Sequence, residues 1–219
     1  MDVDDQLATD ADTSRFMCAT LVDRGETVLF RSYPTCDEDC KPQEVERKGL
    51  LARATIKQAA RATSAAPTYL PEMCIEGLRF WDGGLLNNNP VDQVWDTRFD
   101  LAEKADETPV VSCVVSIGTS WCTKKRGSGF FNTISQAVSF ATNTEAKHRD
   151  FDYNIRRMNL RLEPAEQTMY FRFNAPTGES EFNLDDWQQI GKLKKHTSKY
   201  LKLPGTVDKI DQCAHRLLR

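Results

Sequence analysis

The densest run of residues able to take part in chemistry is 61–90, RATSAAPTYLPEMCIEGLRFWDGGLLNNNP. Asp82 is followed there by Gly83 and Gly84, and Asn88-Asn89-Pro90 comes shortly after. A carboxylate flanked by two residues without side chains is open to close approach. Read alone, however, Asp-Gly is also a strong signal for a tight hairpin turn between LRFW (78–81) and LLNN (85–88). A carboxylate with an ordinary pKa of about 3.9 accepts protons poorly unless desolvation raises it. Serine is a weak nucleophile and needs an adjacent base.

Two serines lie near informative residues. Ser120 sits in Gly118-Thr119-Ser120-Trp121-Cys122, which has the first glycine and the serine of a Gly-x-Ser-x-Gly elbow but ends in cysteine. Ser64 is expected to pack or bond locally near a helix end. Lys124-Lys125-Arg126-Gly127-Ser128-Gly129 is a basic loop whose GSG backbone could bind an anion, although it completes no phosphate-loop pattern and also suits a solvated surface loop. The seven cysteines are 18, 36, 40, 74, 113, 122 and 213. A zinc site needs four ligands at suitable spacing, but Cys36 and Cys40 have no second cysteine pair, and His148, His196 and His215 lie far along the chain. No metal site and no cofactor are expected.

These residues need elements to position them. FMCATLV (16–22) and TVLFRSY (27–33) are apolar runs joined by a short Gly-containing connection, which predicts a hairpin. Residues 34–49 are polar and predict a surface loop. The pattern over 50–66 is helical, with Ile56, Ala59, Ala60 and Thr63 on one face and Pro67 ending the helix. A second helix is expected from Pro90 towards Leu101, with Asn89 as its N-cap, Pro90 at its first position and Asp92 complementing its dipole. PVVSCVVSIG (109–118) reads as a strand buried on both faces. A helix at about 130–148 and a strand at 169–173 continue an α/β rhythm. Two amphipathic helices close the chain, one carrying Trp187, Ile190 and Leu193, the other Val207, Ile210, Ala214 and Leu217.

Composition sets limits on the possible functions. The chain has 219 residues, 40% hydrophobic and 28% charged, which is enough apolar sequence for a packed core. Its net charge is −3 and its pI about 5.7, without the basic footprint of a nucleic-acid binder. No nucleic-acid partner is expected. Mean hydropathy is −0.54, and no window approaches the roughly 18 apolar residues of a membrane span. Residues 1–15 are acidic, are expected to be disordered, and lack the basic and apolar regions of a signal peptide. An intracellular location with reduced thiols follows, cytoplasmic or peripheral to membranes.

Three motifs in order give a family resemblance. Arg61-Ala62-Thr63-Ser64-Ala65-Ala66-Pro67, then Asp82-Gly83-Gly84 with Asn88-Asn89-Pro90, then the Val114–Thr119 strand resemble the patatin-like (PNPLA-type) phospholipases, lipid acyl hydrolases with a Ser–Asp dyad. The resemblance covers about residues 16–175 and is strongest at 51–119. It implies an α/β fold, the three-layer α/β/α patatin-like (FabD/lysophospholipase-like) sandwich, with 16–219 as its C-terminal portion plus closing helices. It also implies that Asp82 is the general base, that Gly83 and Gly84 shape its turn, and that Arg61, Asn88, Asn89 and Pro90 are structural residues near the site.

The family nucleophile, in Gly-x-Ser-x-Gly ahead of the aspartate, has no counterpart among these 219 residues, nor has the Gly-rich oxyanion loop. The expectation is therefore a chain inactive alone, acting on lipid esters or at a membrane surface only with its missing N-terminal half in cis or in trans. The alternative is a non-catalytic lipid-binding or interaction module. On the family reading the 124–129 loop would meet phospholipid headgroups. Lys192, Lys194, Lys195, Lys199 and Lys202 would make either a membrane-facing stripe or the wet face of a helix. Trp81 would line an acyl pocket or pack in the core.

Overall fold

The structure is a computed structural model that describes residues 14–33, 54–101, 108–122, 143–180, 182 and 186–218. The expectations for 1–13, for the 34–49 loop with Cys36 and Cys40, for the 124–129 loop and for a helix over 130–142 lie outside the described residues. The chain divides into two units, Met1–Pro109 with Ala137–Thr144 and Val110–Gln136 with Glu145–Arg219.

The first unit is built on an antiparallel sheet. Strands β1 (Phe16–Leu21) and β2 (Glu26–Arg31) form the expected hairpin, closed where Gly25, at φ +63°, donates its N–H to the Leu21 carbonyl at 2.9 Å. Helix α1 (Ile56–Thr63) starts at a capping box. The Thr55 hydroxyl accepts the Gln58 N–H at 3.2 Å, and the Gln58 side chain accepts the Thr55 N–H at 2.8 Å. Its buried face is Ala59 and Ala62, both 0% exposed, whereas Ile56 and Ala60 face outward. That corrects the expected stripe, because two alanines let the helix lie close on the sheet and the bulkier Ile56 would not fit there.

Strand β3 (Met73–Ile75) pairs with β4 (Leu78–Asp82) through Glu76 and Gly77, both at positive φ, and the sheet order is β2-β1-β4-β3. Phe30 and Phe80, fully buried with ring centroids 5.5 Å apart, anchor a core shared with Ala19, Leu21, Val28, Ala59, Ala62 and Ile75. After β4 come α2 (Gly84–Asn87), α3 (Val91–Asp96) and a 3-10 turn over Thr97–Leu101.

Asp82-Gly83-Gly84 is therefore a strand-to-helix junction, and the hairpin-turn reading is set aside. The expected Asn89 cap is also corrected. Helix α3 begins at Val91 without a side-chain cap, and Asn89, 2% exposed, donates from Nδ2 to the Thr144 carbonyl at 3.3 Å. A buried amide has to use its polar atoms where partners exist.

The second unit centres on a parallel pair, β5 (Cys113–Ile117) and β6 (Met169–Phe173), in register from Cys113↔Met169 to Ile117↔Phe173. Helix α4 (Thr144–Asn159) covers the face bearing Val114, Ser116, Tyr170 and Arg172. Phe151 meets Tyr170 edge-on at 4.8 Å, and Glu145 Oε1 accepts Arg172 Nη2 at 3.0 Å. Buried Arg172 also donates to Ser116 Oγ at 2.9 Å, and Asn174 Nδ2 donates to the same Glu145 oxygen at 2.7 Å.

Helices α5 (Ile190–Leu201) and α6 (Pro204–Leu217) follow, with Trp187 in a 3-10 turn ahead of α5. Strand β5 is not buried on both faces as expected, since Ile117 is 79% exposed and alternates with buried Ser116. The orientation of α6 is also a correction. Thr206 and Cys213 are its buried residues, while Val207, Ile210 and Leu217 are exposed. Lys209 and Arg216 donate to the Arg172, Ser112 and Gln167 carbonyls, and these bonds turn the polar-lined face towards the sheet.

Candidate active site

The end of β4 is held from two sides by backbone. The Asp82 N–H donates to the Ala65 carbonyl at 3.0 Å and the Gly83 N–H to the Thr63 carbonyl at 3.4 Å. The Thr20 hydroxyl donates to the Asp82 carbonyl at 3.0 Å, and the Thr63 hydroxyl to the Cys18 carbonyl at 2.6 Å. Two motifs far apart in sequence thereby become one structure, in which the RATSAAP stretch offers the carbonyls that seat Asp82-Gly83.

Space requires glycine at position 83, and at position 84 a side chain would press on the Asp82 carboxylate. A Cβ on Gly83 would stand 2.1 Å from the Cys18 carbonyl oxygen and 2.6 Å from its carbon. On Gly84 it would stand 2.8 Å from Asp82 Oδ1. Neither glycine has positive φ, so the expected role in turning the backbone gives way to one of close packing. Without a side chain, Gly84 can bring its N–H to Asp82 Oδ1 and hold the carboxylate in place.

Half-buried Asp82 lines an open pocket of about 280 Å³ together with Phe16, Cys18, Thr63, Gly83, Gly84, Asn87, Asn88 and Pro90. Asn87 is fixed by donating from Nδ2 to Thr27 Oγ1 at 2.7 Å. A carboxylate oriented by a backbone N–H, beside small side chains and a cavity, can take a proton from a hydroxyl brought into that cavity.

The sequence-derived residues sort as follows. Asp82, Gly83, Gly84, Asn88 and Pro90 share the pocket, while buried Asn89 does not line it. Arg61 also lies away from the pocket, donating from Nη2 to the Pro71 carbonyl at 2.6 Å and closing the turn after α1. Trp81, adjacent to Asp82 on β4, projects from the opposite face of the strand. Ser64 is exposed at the end of α1, and Ser120 belongs to the second unit, on the loop after β5. Phe16, Cys18, Thr63 and Asn87 join the pocket without having been singled out from sequence. The pairing of β1 with β4 places the first two, and Thr63 had a signal in the sequence as part of the Arg61–Pro67 motif.

Comparison with known proteins supplies the family. A sequence model described as "Patatin-like phospholipase" matches residues 16–95, which hold the whole of this pocket. The chain carries a patatin-like phospholipase domain. It is 33% identical over 155 residues to calcium-independent phospholipase A2-gamma of Rattus norvegicus, covering 66% of this chain and 18% of that protein. It is 35% identical over 121 residues to the 85/88 kDa calcium-independent phospholipase A2 of Mus musculus, covering 47% and 14%. Phospholipase A I of Arabidopsis thaliana is 28% identical over 134 residues, covering 59% and 9%. The chain thus spans less than a fifth of the length of these curated relatives. Among the described residues, no group of three or more His, Cys, Asp or Glu side chains could hold a metal ion, and no helix is long and apolar enough to cross a membrane.

Proposed function

We propose that this patatin-like phospholipase domain supplies the aspartate of a Ser–Asp lipid acyl hydrolase. The observation that carries the reading is the Asp82 carboxylate, held by the Gly84 N–H at a pocket that the family match encloses. In this reading a serine hydroxyl enters the pocket and Asp82 takes its proton, while the serine oxygen attacks the ester carbonyl of a phospholipid or acylglycerol. Asp82 passes that proton to the departing alcohol oxygen; it then takes a proton from the water that attacks the acyl-serine, and returns it to the serine oxygen as the acid leaves. The nucleophile belongs to a Gly-x-Ser-x-Gly segment outside these 219 residues, in cis or in trans, and the chain alone is inactive. The complete fold is the three-layer α/β/α sandwich of the patatin type, and the protein works inside the cell or at the membrane periphery.

The test compares the 219-residue chain with a polypeptide extended in the same reading frame to include a Gly-x-Ser-x-Gly, both given phospholipid vesicles. Hydrolysis by the extended form alone is the expected result. Ester hydrolysis by the short chain that persists in Asp82→Asn would remove the basis of the assignment. Vesicle binding without turnover by both forms would establish the non-catalytic lipid-binding reading in its place.

A further inference from the structure

Helix α6 lies on the sheet face that carries Cys113, Phe171 and Phe173. Lys209 Nζ stands 5.9 Å from the Phe173 ring centroid and donates to the Arg172 carbonyl at 3.2 Å. One end of the helix is clamped by Arg216, whose Nε donates to the Ser112 carbonyl at 3.0 Å and whose Nη2 donates to the Gln167 carbonyl at 2.5 Å. Cys213 is about one helical turn before Arg216, and Ser112 is the residue before Cys113. The clamp therefore brings buried Cys213 of α6 against the end of β5 that carries Cys113. Cys213 is 6% exposed and Cys113 half-buried, and both are free thiols in one unit.

We propose that Cys113 and Cys213 form an oxidative modification site, closing to a disulfide that ties α6 to β5 when the protein meets a low-molecular-weight disulfide. Cys113, the more accessible, loses its proton to solvent, and its thiolate attacks one sulfur of the small disulfide. That S–S bond breaks and one small thiolate leaves. Cys213 then gives up its proton and attacks the Cys113 sulfur of the mixed disulfide, expelling the second small thiolate. Two protein thiols are oxidised and one small disulfide is reduced to two thiols, whose leaving thiolates take up the two protons.

The surroundings make this site slow to react. Burial and the adjacent Cys213 push the Cys113 thiol up to about 11, against the opposing charge of Arg216, so little thiolate exists near neutral pH. Pairing is accordingly slow and follows sustained oxidation. Cys74, which is exposed and lies in the other unit, serves as the internal control.

The experiment treats the native 219-residue chain with oxidised glutathione, alkylates the remaining thiols, digests without reduction and maps linked peptides by mass spectrometry. The expected product is a Cys113–Cys213 linked pair, two hydrogens lighter than the reduced peptides and dominant among intramolecular links. It disappears in Cys113→Ser and in Cys213→Ser, persists in Cys74→Ser, and loses its dominance when oxidation is carried out in concentrated urea. Oxidation also raises the unfolding midpoint of the parent and of Cys74→Ser, but not of the other two variants. Glutathione retained on Cys113 without closure, preferential pairing of either cysteine with a third one, or equal selectivity in native and unfolded protein would overturn the proposal. The native-against-urea comparison uses the parent chain, so it decides even if a serine variant fails to fold.

Discussion

Gly83 and Gly84 are adjacent and chemically identical, yet alanine at the two positions should fail in different ways. At Gly83 the added Cβ would lie 2.1 Å from the Cys18 carbonyl oxygen, well inside the 3.0 Å that real Cβ contacts respect. Cys18 cannot retreat, because β1 is paired with β2 on one side and with β4 on the other. The chain at Gly83 has to lift, stretching Asp82 N–H to Ala65, Gly83 N–H to Thr63 and the Thr63 hydroxyl to Cys18. Loss of two or three such bonds, at about 1 kcal/mol each, gives roughly 2–3 kcal/mol of destabilisation. With a urea slope of about 2 kcal/mol/M, the midpoint falls by roughly 1–1.5 M.

At Gly84 the obstacle is Asp82 Oδ1, which can rotate away, and alanine is favoured over glycine within a helix by up to about 1 kcal/mol. Gly84→Ala should therefore leave the midpoint within about 0.5 M while displacing the carboxylate. Hydrogen exchange across a urea series, read on peptides from β1 and β4, reports this unit by itself. Equal midpoint shifts for the two variants would refute the reasoning.

Other consequences concern the second unit. Arg172→Met leaves Glu145 without its buried cation and Ser116 without its donor, and should cost about 3 kcal/mol, at the low end for a broken pair because Glu145 is a quarter exposed. Adding Glu145→Gln should recover part of that loss in urea unfolding, and no recovery would contradict the pairing. His148, whose Nδ1 lies 3.3 Å from the Tyr170 hydroxyl, has its pKa lowered by burial despite the nearby Glu145 and Asp152. Its neutral form is favoured in the folded state, so its contribution is fully present above the unfolded value of about 6.5 and is lost as pH falls through the lower folded value. An NMR titration should place His148 below 6.5, and His148→Gln should flatten stability over that range.

Local features were legible in the sequence and non-local ones were not. The β1–β2 hairpin and the strand at 169–173 announce themselves in neighbouring residues, whereas Asp-Gly read locally suggests a hairpin turn where the chain enters a helix. Nor do neighbouring residues disclose the roles of the two glycines. Gly83 is required by a carbonyl on β1, more than sixty residues earlier, and only the β1–β4 pairing reveals it. Helix α6 shows the same limit in reverse. Its apolar stripe predicted a buried Val207, Ile210 and Leu217, but bonds from Lys209 and Arg216 to distant carbonyls turn the helix the other way. Asn89 had the composition of a helix cap, yet the carbonyl it found belongs to Thr144. Strand β3 was missed because three residues carry too little periodicity to register.

The central claim is that Asp82 serves as the proton acceptor for a serine. Its most direct test is phospholipid hydrolysis by the serine-containing polypeptide with and without Asp82→Asn, beside an unfolding curve for each. Asparagine keeps an oxygen for the Gly84 N–H but cannot take a proton. The account predicts hydrolysis reduced by roughly 100- to 10,000-fold with the unfolding midpoint unchanged. Hydrolysis at the parent rate in a folded Asp82→Asn protein would contradict it.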